Sequence, residues 1–305
     1  MAVIEPRGPF SLTASSRFLE GFTPAAHRAS GEAGHLHLAF VPAGTDDAAA
    51  VCCRQPAEPD GPVTIEVHGS PDARPVVDQT RRILSLDIDG SDFPEAGRRD
   101  PVIGRLQRRY PGLRPVLFLS TFEAAAWAII GARISIRQAA RTKAAMAEEL
   151  GPAVEVHGER LHAFPSPRKV ATLDAFPGLF GRKAEWLRGI ADAALAGRLD
   201  AQMLRSQPPD EARARLRELP GIGPFSADLV LLRGAGEPDA LPTAEPRLRR
   251  STALAYDRTE PSAEELEELA EPWRPYRTWV AVLLRTALED ETREIRGTER
   301  GRARA

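Results

Sequence analysis

The sequence predicts an α+β fold, with an N-terminal antiparallel sheet followed by a helical part. Short alternating runs bounded by Gly and Pro at 36–42 and 63–69 are typical of strands. From Thr121 onward the pattern is helical throughout, so we expect no further strands there. The expected units are an N-terminal β-rich domain, a helical domain and a polar tail that we expect to be disordered, at 1–112, 113–290 and 291–305.

Each further element follows from local signals. Residues 76–84 have helical spacing, and Asp100 opens an arginine-rich helix that ends before the prolines at 111 and 115. Two helices are expected at 122–131 and 136–150, meeting near Gly131. The sequence therefore places its longest helices directly after the predicted domain boundary.

The most informative segment is the run L-P-G-I-G-P-F-S-A at 219–227. A helix is predicted over 211–219, and Pro220 and Gly221 end it. Pro224 suits the first position of a new helix. The start of that helix presents free N–H groups and a positive dipole end, which together form an anion site.

Two glycines complete this expectation. We expect Gly223 to adopt a backbone conformation closed to other residues, which lets the chain approach a partner closely. Gly234 is the expected C-cap of the second helix, which covers 225–232. Two helices joined by a tight glycine turn are therefore predicted.

Composition limits the classes of partner. The chain has 305 residues, a net charge of −2, 42% hydrophobic and 28% charged residues, which describes an ordinary globular protein. Any nucleic-acid surface must therefore be a local basic patch. No apolar run reaches membrane-span length and the N-terminus is no signal peptide, so we expect no membrane contact and a cytoplasmic bacterial protein. With a patch that binds DNA, the protein would be nucleoid-associated, and we expect a monomer.

Cysteine and histidine usage argues against a side-chain metal site. Cys52 and Cys53 are adjacent, too few and too close for a four-cysteine iron–sulfur cluster, and we expect them to be inert. His35 and His37 alternate along a predicted strand and so share one face, which we expect to be solvated. The sequence thus predicts no metal bound by side chains.

The chain resembles the 3-methyladenine DNA glycosylase II family over nearly its full length. The matching motifs stand in family order, at 9–12 with 18–19, 123–131, 163–167, 219–227, and 272–276 with Trp279. The resemblance implies a helix-hairpin-helix glycosylase domain, with the motif at about 211–233, acting on double-stranded DNA. The residues that it places on DNA are Arg133, Pro220, Gly221, Ile222, Gly223 and Ser226. No cofactor is implied, apart from a monovalent cation held by hairpin backbone carbonyls.

The family flips a damaged base out of the duplex into a pocket, and a side chain fills the gap. Here that residue is Arg133, whose guanidinium could stack between bases; a phosphate contact or a surface charge is an equal alternative. Glu245 stands where the family carries its catalytic aspartate, with Pro246 predicting a helix start and Thr243 as the alternative N-cap. Phe225 occupies the place of the lysine of bifunctional members, so we expect a monofunctional enzyme.

The expected base pocket departs from the family pattern. Its residues are Phe18, Trp127, Ala132, Phe225, Leu229, Trp279 and Val282. Ala132, Leu229 and Val282 replace a glutamine, a tyrosine and a tryptophan, and core packing is the alternative for Trp127 and Trp279. Two hypotheses follow: a glycosylase for alkylated or otherwise damaged bases with Glu245 as its carboxylate, or a DNA-damage-binding protein without activity.

Overall fold

The N-terminal sheet has four antiparallel strands. The computed structural model describes residues 1–21, 34–56, 59–243 and 245–292. The strand order is β1-β4-β3-β2. The strands are β1 Ala2–Ile4, β2 His35–Phe40, β3 Ala49–Arg54 and β4 Val63–His68. Both strands predicted from alternation are confirmed as β2 and β4.

Four helices belong to the N-terminal part of the chain. They are α1 Leu12–Gly21, α2 Ala73–Ile83, α3 Phe93–Arg99 and α4 Pro101–Arg109. The side chain of Asp100 accepts hydrogen bonds from the backbone N–H groups of Val102 and Ile103. The N-cap read from the sequence therefore starts α4 as expected.

The remainder of the described chain is mostly helical. Its helices are α5 Thr121–Gly131, α6 Ile136–Leu150, α7 Pro167–Ala171, α8 Lys183–Leu195, α9 Ala201–Arg205, α10 Pro209–Arg217, α11 Pro224–Asp228, α12 Pro246–Ala255, α13 Ala263–Leu269 and α14 Arg277–Thr292. A 3-10 turn, Glu271–Trp273, precedes α14. No helix of the described residues is long and apolar enough to cross a membrane.

One expectation was wrong: two strands interrupt the helices. β5 Ala153–Val156 and β6 Glu159–His162 form an antiparallel hairpin. Its turn is made by His157 and Gly158 at φ 48° and 78°, the backbone of a type I′ turn. Each strand has only four residues, so the alternation of Val154 and Val156 in β5 is too short to separate a strand from the helical pattern around it.

The buried side chains form three main groups. One lies between the N-terminal sheet, α1 and α2, and a second among α5 to α11. A third joins α3 and α4 to α12, α13 and α14. Residues 93–113 thus share a core with the C-terminal helices, and a domain boundary at 112 remains a prediction.

A buried arginine ties the N-terminal loops to this third core. The Arg114 side chain donates hydrogen bonds of 2.5 to 3.3 Å to five backbone carbonyls. Those carbonyls belong to Arg7, Gly8, Pro9, Ser85 and Ile88. Its guanidinium carbon lies 5.1 Å from the ring centroid of Trp279, and burial lowers the pKa of Arg114 to about 10. The group stays charged at neutral pH and is satisfied by carbonyls.

The predicted polar tail lies almost wholly outside the described residues. α14 ends at Thr292, so the first two tail residues are helical. The expectation of disorder for 293–305 concerns residues outside the described part of the chain.

Candidate functional site

The predicted helical hairpin is present at 218–224. α10 ends at Arg217, and α11 starts at Pro224 with Gly223 as its N-cap. α11 continues directly into a π-helical segment, Leu229–Ala235, whose C-cap is Gly236 at φ 83°. Gly234 is therefore not the C-cap. It is buried, and a Cβ there would lie 2.9 Å from the Ala124 side chain.

The two hairpin glycines have different roles from those expected. Gly221 has φ 77°, and a Cβ built there would lie 2.8 Å from the Trp186 ring. Gly223 has φ −93° and ψ −176°, which any residue can adopt, and a Cβ would meet nothing within 4 Å. The left-handed conformation expected at Gly223 was wrong, since the turn is made at Gly221. Because Gly223 has no side chain, the backbone of the hairpin is accessible there.

The other hairpin residues divide between core and surface. Pro220, Gly221 and Gly223 are exposed, Ser226 is half-buried and Ile222 is buried. Ile222 packs with the apolar residues of α5 to α11 and anchors the turn. The hairpin therefore presents mainly backbone to solvent.

Glu245 lies in a cleft beside the second hairpin helix. It is the N-cap of α12, ahead of Pro246, although its side chain makes no capping hydrogen bond. Its Oε1 atom lies 2.9 Å from Nη1 of Arg285, and the Glu245 side chain is 11% exposed. The carboxylate thus points to α14 rather than to its own helix, and Thr243 is not the cap.

A second guanidinium lies near this carboxylate. Arg233 is buried, and its Nη2 donates to the carbonyl of Val116. Burial lowers the pKa of Arg233 to about 9, with the charge of Arg285 adding to the effect and Glu245 opposing it. Its guanidinium carbon lies 5.0 Å from the ring centroid of Phe18. Glu245 thus lies near the guanidinium groups of two arginines, Arg285 and Arg233.

We call the surrounding space the Glu245 cleft. Its lining residues are Phe225, Asp228, Leu229, Leu232, Arg233, Pro242, Glu245, Thr278, Ala281, Val282 and Arg285. Its volume is about 50 Å³, enough for a few water molecules.

Charged contacts hold the cleft walls together. Nε of Arg213, on α10, lies 2.7 Å from Oδ1 of Asp228, and its Nη2 donates to the carbonyl of Leu241 at 3.1 Å. Nε of Arg277 lies 3.0 Å from Oδ1 of Asp239. These contacts connect the helical hairpin, the loop before Glu245 and the start of α14.

Three of the expected pocket residues lie together with Glu245. Phe225, which is 56% exposed, Leu229 and Val282 line the cleft. Trp127 and Trp279 do not: both are buried in cores, Trp279 against Phe93 at a ring distance of 5.1 Å. For these two, burial in the helix cores favours the core alternative.

The end of α5 lies apart from the cleft lining. Ala132 is the C-cap of α5, and Arg133 follows it at φ 58°, exposed. A left-handed arginine is a strained conformation, which clusters at functional sites. Phe18 is half-buried, and its ring contacts the guanidinium of Arg233, which lines the cleft.

Sequence reasoning missed the two cleft arginines. Arg285 lies three residues after Val282 on α14 and so shares its helix face. That spacing was the available signal for Arg285. No sequence signal pointed to Arg233, because its position in the cleft depends on the π-helical turn.

Comparison with known proteins shows what the chain is similar to. No family model matches the chain. The DNA-3-methyladenine glycosylase of Bacillus subtilis is 27% identical over 226 residues, which are 70% of this chain and 75% of that protein. A probable bifunctional transcriptional activator/DNA repair enzyme of Mycobacterium tuberculosis is 31% identical over 212 residues, 68% of this chain and 42% of that protein. The chain is thus similar to DNA-3-methyladenine glycosylases over about two thirds of its length.

A solved structure shows that the family fold extends along nearly the whole chain. The 3-methyladenine DNA glycosylase from Archaeoglobus fulgidus has a TM-score of 0.77 at 24% identity, covering 96% of this chain and 99% of that chain. The α+β fold with a helix-hairpin-helix domain, expected from the sequence, is thereby confirmed. Within this glycosylase fold, the Glu245 cleft lies against the helical hairpin.

Proposed function

We propose that this chain is a monofunctional DNA glycosylase that releases alkylated or otherwise damaged bases in base excision repair. The observation that carries the proposal is the position of Glu245, a nearly buried carboxylate in a cleft whose opposite wall is the second hairpin helix. This arrangement supports the proposal, because the helix expected to bind DNA and the expected acid line the same cleft. The family relatives named as DNA-3-methyladenine glycosylases support the same activity.

The chemistry needs one fixed negative charge. The bond between C1′ of the sugar and the base nitrogen breaks, and its electron pair leaves with the base. The sugar becomes oxocarbenium-like, and the Glu245 carboxylate stabilises that positive charge. Water then adds to C1′, and the proton that it loses passes to the carboxylate or to solvent. The products are a free base and an abasic site.

Among the described residues, the cleft lining offers no amine for a covalent lyase step. Phe225 occupies the place of the lysine of bifunctional relatives, and no lysine lines the cleft among the described residues. Without an amine there is no Schiff base and no strand nicking. The enzyme therefore stops at the abasic site.

We propose double-stranded DNA as substrate, bound by a monomer through the hairpin backbone. The N–H groups at the start of α11 bind a phosphate, and Arg133 fills the gap left by the flipped base. If Arg133 is instead a phosphate contact or a surface charge, removing its side chain should weaken DNA affinity without preventing base flipping. The carbonyl of Leu219 already accepts the N–H of Ile222; the second lone pair of this oxygen fits a monovalent cation.

Glu245→Gln tests the assignment. We expect single-turnover base release from methylated duplex DNA to fall about 10²- to 10³-fold, because one charge-stabilising group is removed. Binding of an abasic-site duplex should stay within twofold. Glu268→Gln, an exposed acid on α13, is the matched control and should keep full activity.

Two outcomes contradict the proposal. Equal rates for wild type and Glu245→Gln would remove Glu245 from the mechanism. Tight binding of damaged duplex without release of any base by the wild type would favour the damage-binding alternative.

A further inference from the structure

Four of the six histidines in the chain meet at the outer face of the N-terminal sheet, away from its core. His35 and His37 come from β2, and Cys52 from the adjacent strand β3. His157 comes from the turn of the β5–β6 hairpin, which covers this face. We call His35, His37, Cys52 and His157 the histidine cluster; His68 on β4 lies at its edge.

The cluster corrects the solvated face expected for His35 and His37. His37 is 6% exposed and Cys52 1%, because the β5–β6 hairpin packs over them. Cys53 points to the other side of the sheet into the core, and burial, with Cys52 as the smaller cause, raises the pKa of its thiol. The two adjacent cysteines therefore have different environments.

The geometry is that of a four-ligand set. One ligand atom from each member of the histidine cluster lies within 4.8 Å of every other. Sγ of Cys52 is 3.9 Å from Nδ1 of His35. Zinc–nitrogen and zinc–sulfur distances of about 2.0 to 2.3 Å give tetrahedral ligand separations of about 3.3 to 3.8 Å. Side-chain rotations of about half an ångström per ligand therefore close the set around an ion.

The carboxylates around the cluster orient its imidazoles. Nδ1 of His37 lies 2.9 Å from Oε2 of Glu159, while its Nε2 is buried without a hydrogen-bond partner. Nε2 of His157 lies 3.4 Å from Oε2 of Glu66. A carboxylate on one ring nitrogen fixes the ring and leaves the other nitrogen for a metal, the arrangement found around metal-bound histidines. An unpaired buried nitrogen is costly and points to a missing ligand.

We propose that His35, His37, Cys52 and His157 bind one zinc ion that fastens the β5–β6 hairpin to the N-terminal sheet. Three imidazoles and one thiolate form a closed tetrahedral set of the structural type. On binding, Cys52 loses its thiol proton to solvent and the thiolate forms the metal–sulfur bond, with no change in oxidation state. His157 is exposed, which gives the ion a path of entry.

A neighbouring group of possible ligands is less suitable. Glu66, His68 and His157 also lie within ligand distance of one another. This set has only three members, none of them buried, and it uses the Glu66 carboxylate that orients His157. The histidine cluster offers a thiolate and the unpaired nitrogen of His37.

Cobalt substitution of the full-length protein tests the site. Metal is removed with a chelator and Co²⁺ alone is added while the absorption spectrum is recorded. We expect one equivalent to give the intense visible bands of tetrahedral cobalt and a near-ultraviolet thiolate-to-cobalt band. Cys52→Ser should lose the thiolate band, whereas the matched control Cys53→Ser should keep it.

A second pair of variants avoids changing a ligand. Glu159→Gln removes the carboxylate behind His37 and should weaken cobalt affinity about 10- to 100-fold. Glu155→Gln, exposed on the same hairpin, should leave the affinity unchanged. Folding of each variant is checked by circular dichroism.

The absence of a thiolate band in folded wild type would overturn the proposal, as would an unchanged band in Cys52→Ser. Equal affinities for Glu159→Gln and Glu155→Gln would do the same. Zinc-dependent melting that is present in wild type and lost in Cys52→Ser would support it.

Discussion

The helical hairpin and the Glu245 cleft share one helix but are built differently. The hairpin is a run of consecutive residues whose shape depends on local backbone preferences. The cleft is assembled from the second hairpin helix, the loop before α12, and α14. By the sequence resemblance, the run at 219–227 keeps the family pattern, whereas Glu245, Leu229 and Val282, which line the cleft, depart from it. A site made of consecutive residues can thus be read from sequence more completely than one assembled from distant segments.

The largest expected effect tests which side chains belong to the cleft. Trp279→Ala should lower the free energy of unfolding by about 3 to 5 kcal/mol, because the ring is buried among Phe93, Tyr276 and the Arg114 guanidinium. Urea unfolding measures the loss. Val282→Ala, one helical turn further on but lining the cleft, should cost less stability.

Lesion preference, measured as relative rates on different damaged bases, should rank Trp279 and Val282 in the opposite order to stability. Trp279→Phe, which keeps most of the volume, should leave relative rates on different damaged bases unchanged, while Val282→Ala should alter them. If Trp279→Phe shifted lesion preference with little loss of stability, Trp279 would belong to the cleft after all.

The next prediction separates the two hairpin glycines. Gly221→Ala should cost about 1 to 3 kcal/mol, because its φ of 77° is unfavourable for alanine and the methyl group meets Trp186. Gly223→Ala should change stability by less than about 0.5 kcal/mol, because its backbone is ordinary and the space is open. It should nevertheless weaken DNA binding about tenfold, equal to about 1.4 kcal/mol, since the methyl group lies where a phosphate approaches.

A control for backbone strain exists outside the hairpin. Gly197 has φ 75° with nothing within 4 Å of a built Cβ. Gly197→Ala should lose stability but keep DNA affinity, measured at one fixed salt concentration. Unchanged DNA affinity in Gly223→Ala would remove the hairpin surface from the interface.

The sequence predicted the long helices almost to the residue, because caps and periodicity are local. The expected 122–131 and 136–150 became Thr121–Gly131 and Ile136–Leu150. It failed where distant segments meet. The β5–β6 hairpin has only four residues in each strand. His157 in its turn meets residues of β2 and β3 that lie more than 100 positions earlier in the chain. For the same reason Arg285 was missed, although Glu245 was found.

The smallest predicted effect concerns that missed arginine. With Glu245 in its proposed role, we expect the guanidinium of Arg285 to cancel part of the field of that carboxylate at the sugar. Two unit charges about 6 Å apart in a water-like medium interact by about 0.7 kcal/mol, so Arg285→Gln should raise single-turnover base release about threefold at saturating enzyme. Arg247→Gln removes a positive charge from α12 outside the cleft lining and should not raise the rate. If the rate of base release instead fell tenfold in Arg285→Gln, Arg285 would hold the Glu245 carboxylate in position. The ion pair would then be part of the active arrangement of the cleft.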